Sequence, residues 1–587
     1  MEKRTNGSSH NTLGKTPFLG IVVLIVVLTG LVIDSTRADG DNFYADIIRL
    51  DNVTAKIHQS YVEELSSKEL IDNAIQGMMK SLDPYTTYFE TKEYEELRIH
   101  TEGKFGGLGI QISIRDDVLT VMTPISGTPA SRAGVQSGDQ IIEIDGESTK
   151  GITVEGAVNI LRGAPGSRVA ILIRRKGAPK DIEYTITREI IQIKAVPFYG
   201  IVGDSIGYIQ LQAFSKEAAS EVERAIKSLL KQGINGLVFD LRNNPGGLLP
   251  QAIEVADKFL SRKNLVVSTR GRVRNQNNEF FAAGPSVVPE DLPLGVLVDY
   301  SSASASEIVA GAIQDWDRGL VIGDTTFGKG SVQSVLPLDK NHHLKITTAL
   351  YYTPSGRCIN RPHLSRNDTT ENGDDIEEQE PDTIEYQTQN GRIVYGGGGI
   401  VPDTVVKMDI PQLPIRALYG KDAFFQFANM EYPRLEKENR TVGPDFTIDD
   451  AMMERFYSYL DSIDFSYTSI AQHQFEEFKK KSGLVPDTSI DSATAQFMEM
   501  PQWSDTDLTT VKAAVAQMDS ILKKDSMRAL EQNESEIRRL LTNAFLVREF
   551  GQDNEIVFRK RLGEDTQLKA ALEILADRAI YERLLRP

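Results

Sequence analysis

Three serines, Ser302, Ser304 and Ser306, alternate with alanines just ahead of an apolar helical run, and Lys329 stands between two glycines shortly after it. The stretch SSASASEIVAGAIQDWDRGLVIGDTTFGKGSVQ, Ser301 to Gln333, reads as four pieces: a loop of small residues, a helix from Glu307 to about Trp316, an apolar strand from Leu320 to Gly323, and a glycine-flanked turn. A helix start offers unpaired N–H groups and the positive end of the helix dipole, which stabilise an oxygen as it becomes negative. Such a place suits a nucleophile. A serine at neutral pH also needs a base. None of the seven histidines sits in a recognisable catalytic pattern, whereas a lysine taken out of water gives up its charge readily and can then accept a proton. On an extended strand Lys329, Ser331 and Gln333 share one face, which sets Gln333 to orient the lysine amine. A structural reading competes, since Ser304 and Glu307 fit the S-x-x-E capping box and most lysines are solvated surface charges.

The whole string resembles the signature of the carboxyl-terminal processing peptidases, also called tail-specific proteases. In that family the serine nucleophile and the lysine base lie 25 positions apart, the spacing that joins Ser304, and neither of the other two serines, to Lys329. Gln333 matches the family's lysine-orienting glutamine. The resemblance further assigns an oxyanion donor to the glycine pair in Asn243-Asn244-Pro245-Gly246-Gly247-Leu248, here carried to the N–H of Gly247, with the N–H of Ala305 as the second donor. Taken alone, N-P-G-G would read as an ordinary strand-to-helix turn.

The elements that must position these residues follow in order. Residues 40–98 carry apolar residues at helical spacing until Asp83-Pro84 breaks the pattern, and GMMKSLDPYTTYF resembles a recurring string of the same peptidases. Residues 99–180 turn to short alternating strands and glycine turns. The order of pieces, with Gly106-Gly107-Leu108-Gly109-Ile110 at the start and SRAGVQSGDQIIEIDG in the middle, resembles a PDZ domain. In such a domain glycine-loop N–H groups take a carboxylate while an extended peptide adds as a strand. Residues 190–362 and 391–410 alternate strands with helices, an α/β core for which the resemblance implies the crotonase-like (ClpP/crotonase-type) fold. Residues 363–390 form an acidic, apolar-poor insertion read as solvated, and residues 411–587 a helical region with stripes at Ile537, Leu540, Leu541, Ala544, Val547 and at Leu568, Ala571, Leu572, Leu575, Ala579.

A length of 587 residues allows several domains, and a net charge of −18 argues against a nucleic-acid partner. The single cysteine, Cys358, leaves no intramolecular disulfide and no metal cluster to propose. After a basic N-terminus, residues 1–17, the run Phe18 to Ile33 is uncharged and apolar; Lys3, Arg4 and Lys15 before it place the N-terminus in the cytoplasm. The expectation is a single-pass anchor in a bacterial inner membrane with the rest on the periplasmic side, a cleaved signal peptide being the competing reading.

The expected activity is that of a serine endopeptidase with a Ser304–Lys329 dyad. The PDZ domain holds polypeptides by free C-terminal tails, no metal or organic cofactor is needed, and the helical regions offer contacts for a homo-oligomer. Two rivals stand beside it: a non-catalytic PDZ scaffold on a protease-like fold, and a hydrolase using a histidine such as His58.

Overall fold

The computed structural model describes residues 43–361, 384–482 and 504–586. The chain divides into two compact units, the first ending at Pro84. In the described part of that unit two helices, Phe43–Ser60 and Ser67–Lys80, follow one another. Phe43, Tyr44, Ile47 and Ile48 are exposed on the first of them.

The second unit is built around a six-stranded sheet in the order Phe198–Val202, Ile206–Gln210, Gly236–Asp240, Leu294–Val298, Leu320–Gly323, Thr404–Val405. The first pair is antiparallel and the rest are parallel. Every residue of Gly236–Asp240 and Leu294–Val298 is buried, the pattern of strands covered on both faces. One face is covered by the helices Ala218–Lys231, Leu249–Asp257 and Ala305–Asp315. The other is covered by Thr566–Ala576 and Arg578–Leu585, whose Leu568, Ala571, Leu575 and Tyr581 pack with Val238, Leu297 and Ile322. The second apolar stripe read in the C-terminal region therefore forms a layer of the six-stranded sheet.

The first stripe goes elsewhere. Ile537, Leu540 and Leu541 join Phe427, Phe456 and Phe545 in a separate helical core. A smaller sheet places His342–Tyr352 between Thr87–Glu90 and Leu265–Arg270, and Ser331–Pro337 pairs with it as well.

Between Lys104 and Gln192 lies a β-rich domain. Its sheet runs Ile110–Arg115, Val118–Pro124, Gln140–Ile144, Arg168–Arg174, Ile182–Thr187, leaving Ile110–Arg115 at an edge. The chain enters and leaves this domain through one antiparallel ribbon, Lys104–Gly107 against Glu189–Gln192. The helix Val154–Leu161, capped by the Thr153 hydroxyl on the Gly156 amide at 3.0 Å, packs beside the edge strand. At the end of the edge strand and at the Gly138 turn the domain meets the helical region, where Arg115 pairs with Asp422 at 2.8 Å and Gly138 faces the Asn429 side chain.

The single-pass inner-membrane placement is corrected by the structure. Among the described residues no helix is long and apolar enough to cross a membrane; even the 28-residue helix Asp505–Gln532 carries Asp505, Asp507, Lys512 and Asp519 along it. The run Phe18 to Ile33 lies outside the described residues, as does most of the acidic insertion.

If Thr566–Ala576 is a true layer of the sheet, Leu568→Ala should cost about 2–5 kcal/mol, as for a fully buried leucine. Denaturant unfolding followed by the fluorescence of Trp316, whose side chain packs against the core on the opposite face of the sheet, measures this. A change under about 0.5 kcal/mol, the range of surface substitutions, would show the helix to be an appendage.

Candidate active site

The helix Ala305–Asp315 is buried along its whole length, and its start follows the interior strand Leu294–Val298. Ser302 and Ser306 are both 0% exposed. Their hydroxyls donate to backbone carbonyls, Ser302 to Leu241 at 2.8 Å and Ser306 to Asn244 at 2.8 Å. Ser304 alone of the three is partly exposed. Its backbone has φ +55° and ψ −112°, a region sparsely used by residues with a side chain and held only when neighbours over-determine it.

The neighbours that do so converge on one carboxylate. Glu307, 0% exposed, accepts the Ser304 amide at 2.7 Å on Oε2. The same oxygen accepts the Lys329 amide at 3.0 Å, while Oε1 accepts the Gly328 amide at 2.7 Å and the Thr326 hydroxyl at 2.6 Å. Glu307 is thus more than the capping partner read from S-x-x-E, because it joins the serine's backbone to the lysine's. A second joint lies behind it. The buried Tyr351 hydroxyl is within hydrogen-bonding reach of the carbonyls of both Ser304, at 3.1 Å, and Lys329. Burial, with the Glu307 charge next, pushes the Tyr351 phenol well above its ordinary range, so it stays a neutral donor.

Gly328 has φ +89°, and a Cβ on Gly330 would fall 2.6 Å from the Asn360 nitrogen. Both glycines flanking Lys329 are required by local geometry. The lysine Nζ lies 4.5 Å from the centre of the Tyr85 ring. Gln333 donates from Nε2 to the Ser331 hydroxyl at 2.9 Å and to Thr347 at 3.3 Å; Ser331 and Gln333 therefore share a face, although the pairing register slips between Val332 and Gln333.

Gly246 sits against the serine and Gly247 against Phe214. A Cβ on Gly246 would lie 2.9 Å from both Ser304 Cβ and Ala305 N, and one on Gly247 would lie 2.5 Å from the Phe214 carbonyl oxygen. Their φ values, +101° and +150°, also exclude most side chains. The Gly246 carbonyl is taken by the Phe214 amide at 3.0 Å. Asn244 holds the turn to the helix start by accepting the Ala303 amide at 3.1 Å on its carbonyl.

In the β-rich domain, Gly106 and Gly107 pair within the entry ribbon, and Leu108, Gly109 and Ile110 lead from it into the edge strand. The Gly106 carbonyl accepts from Gly163 at 3.1 Å, just past the Val154–Leu161 helix, and the Leu108 and Gly109 carbonyls accept from Ala130 and Ile125. The loop thus has its carbonyls engaged and lies between an open strand edge and a helix end. Glu307, Tyr351, Tyr85 and Thr326 were not singled out from sequence as site residues. Glu307 had a signal, the capping pattern, but only the all-round apolar helix SEIVAGAIQD could have said that this cap is buried.

Burial pushes the Glu307 carboxyl above its ordinary 4.5, against the pull of its Thr326, Gly328, Ser304 and Lys329 donors. Between 4.5 and the raised value the folded protein keeps a proton that the unfolded chain has lost. This group's contribution to stability is therefore complete below 4.5 and declines as pH rises through the folded value. In Glu307→Gln that decline should vanish, which appears as a gap between the two proteins' melting curves that changes as pH rises above 4.5. The amide's N–H2 would also face backbone donors, and peptidase turnover should fall about a hundredfold.

Residues 205–367 match peptidase family S41, residues 120–175 a PDZ domain, residues 32–93 the activating protease CtpB N-terminal domain, and residues 415–500 and 487–575 the C-terminal helical domain of probable PDZ-proteases. Among curated proteins, the carboxy-terminal-processing protease of Bartonella bacilliformis is 42% identical over 346 residues, 58% of this chain and 79% of that one. The carboxy-terminal processing protease CtpA of Bacillus subtilis is 31% identical over 401 residues, 67% of this chain and 82% of that one. Among solved structures, the photosystem II D1 C-terminal processing protease is 30% identical, covers 53% of this chain and 89% of its own, and aligns with a TM-score of 0.31. The chain belongs to the carboxyl-terminal processing proteases, serine peptidases of family S41 that carry a PDZ domain.

Proposed function

We propose that this peptidase cuts polypeptides held by their free C-terminal tails, with Ser304 as nucleophile and Lys329 as its base, on a core of the crotonase type. One observation carries the assignment: of the three serines, only Ser304 is accessible, and its backbone and that of Lys329 are fixed on one Glu307 carboxylate. Lys329 Nζ, in its neutral form, takes the Ser304 proton as Oγ attacks the scissile carbonyl carbon. The carbonyl oxygen becomes an oxyanion held by the N–H groups of Gly247 and Ala305. Collapse expels the amine, which receives the proton back from the lysine, and water, deprotonated by the same lysine, hydrolyses the ester. Two features support the base role. Gln333, whose Nε2 is spent on Ser331 and Thr347, would turn its Oε1 to the lysine amine as acceptor, and the Tyr85 ring face favours the ammonium that forms in the transition state.

For the tail, the proposed cradle is the loop Gly106, Gly107, Leu108, Gly109, Ile110. The free edge of Ile110–Arg115 accepts a peptide strand, and the neighbouring helix forms the other wall. Ile110, Ile112 and Ile114 pack on the domain's apolar core, which favours apolar tails.

The test is digestion of an unfolded protein with an apolar C-terminus by the full chain, with products read by mass spectrometry. Ser304→Ala and Lys329→Ala should each lose at least about a thousandfold in kcat, and His58→Ala should cut as the wild type does. Amidation of the substrate's C-terminus should raise KM and leave kcat unchanged. Cutting by Ser304→Ala at the wild-type rate would refute the assignment.

A further inference from the structure

The strand Gly236–Asp240 ends in a buried ionic network that reaches the far C-terminal part of the chain. Asp240, 1% exposed, accepts the Arg242 amide at 2.9 Å on Oδ1 and the Tyr208 hydroxyl at 2.7 Å on Oδ2. It also takes the Arg242 guanidinium, Nε at 3.0 Å and Nη2 at 2.6 Å. The other edge of the same guanidinium forks onto Asp565, Nη1 to Oδ1 at 2.9 Å and Nη2 to Oδ2 at 2.6 Å, and Nη1 reaches Gln567 Oε1 at 3.0 Å. Asp565 is 323 positions away from Arg242 and opens the Thr566–Ala576 helix, whose first turn it caps by accepting the Leu568 amide at 2.9 Å. Burial disfavours the charge on Arg242, and the two carboxylates more than offset it.

This network stands at the root of the glycine turn. Directly after Arg242, Asn243 has φ +57° and gives its amide to Asp299 at 3.1 Å; Asp299 also accepts the Ser301 amide at 3.0 Å. The Asn244 carbonyl then takes the Ala303 amide and the Ser306 hydroxyl. The chain from Arg242 to Gly247 is thus bonded on both sides of Ser304. Without Asp565, the Asp240 fork would still set the guanidinium's plane, but its only tie to the C-terminal helix would be the single neutral bond to Gln567. The second fork, to Asp565, adds a charged two-point anchor on that helix and so ties the residue that starts the turn to the layer covering the sheet.

We propose that Asp565 is a positioning residue for catalysis: acting through Arg242, it holds the Asn243–Gly247 turn in register with Ser304, so the C-terminal helices complete the catalytic apparatus. The proposal rests on the assignment of Gly247 as an oxyanion donor. A displacement of the turn by about 1 Å is worth on the order of a hundredfold in rate. Tail binding lies in another domain and is untouched.

The experiment uses the full chain and the variant Asp565→Ser. A serine keeps a good helix cap but offers no carboxylate to the guanidinium. Four quantities are read: kcat and KM on a tail-bearing peptide, the melting transition, and the rate at which a fluorophosphonate modifies Ser304. The fluorophosphonate's phosphoryl oxygen must accept from the same N–H donors. Asp565→Ser should lower kcat and the modification rate together by about tenfold to a hundredfold, with KM unchanged; melting falls because a largely buried guanidinium loses a carboxylate, but the transition stays well above the assay temperature, so that the rates are read on folded protein. Arg242→Lys should do the same, and the double variant should lose no more than either single one. Wild-type rates in Asp565→Ser, or a loss that follows the loss of folded protein, would overturn the proposal. Equal absence of labelling in wild type and Ser304→Ala would instead remove the nucleophile assignment, and the proposal with it.

Discussion

A carboxylate taken out of water costs several kcal/mol unless donors replace the water, and the Glu307 carboxylate has been taken out completely. Its donors come from two places that are remote in sequence, the helix start at Ser304 and the segment Thr326–Lys329. Hydrogen bonds to a charged group are worth about 1.5–3 kcal/mol each, so four of them offset the burial only if both segments are present together. The consequence is a closed loop in which neither the serine's backbone nor the lysine's can relax alone. The unusual φ of Ser304 is tolerated because releasing it would strand the carboxylate.

The sheet beneath this loop explains why distant helices matter. Parallel strands buried on both faces need two covering layers, and here one layer comes from the helices interleaved with the strands while the other comes from Thr566–Ala576 and Arg578–Leu585. The inserted β-rich domain makes the opposite demand. Its entry and exit lie side by side in one ribbon, so the core has to close only a single gap where the domain leaves.

Much of this was readable from the residues. The glycines around Lys329 and the alternation of strands and helices after Ile191 carry local signals, because turn chemistry and hydrophobic period act over a few residues; the spacing of Ser304 and Lys329 carries meaning only through the family resemblance. The burial of Ser302 and Ser306 was not readable, since three serines alternating with alanines are equivalent until a partner carbonyl is placed beside each. Nor were the meeting of Tyr351 with both carbonyls and the fork of Arg242 on Asp565, which are products of tertiary packing. The two C-terminal stripes show the limit most plainly: their helical periodicity is the same, yet Ile537 and Leu568 face different cores. The expected membrane span shows another, since the run that suggested it lies outside the described residues and the described helices are too charged to replace it.

The separation between the sheet and its second covering layer has a consequence for how the protein is made. Chains are synthesised from the N-terminus and domains tend to fold as they emerge, but Val238, Leu297 and Ile322 wait for Leu568, Ala571 and Leu575 to bury them. Until those residues leave the ribosome, a nascent chain displays a broad apolar sheet face that invites chaperones or wrong partners. The helix Thr566–Ala576 therefore acts as a timer: a chain still in synthesis has not assembled the layered sheet on which its peptidase site is built.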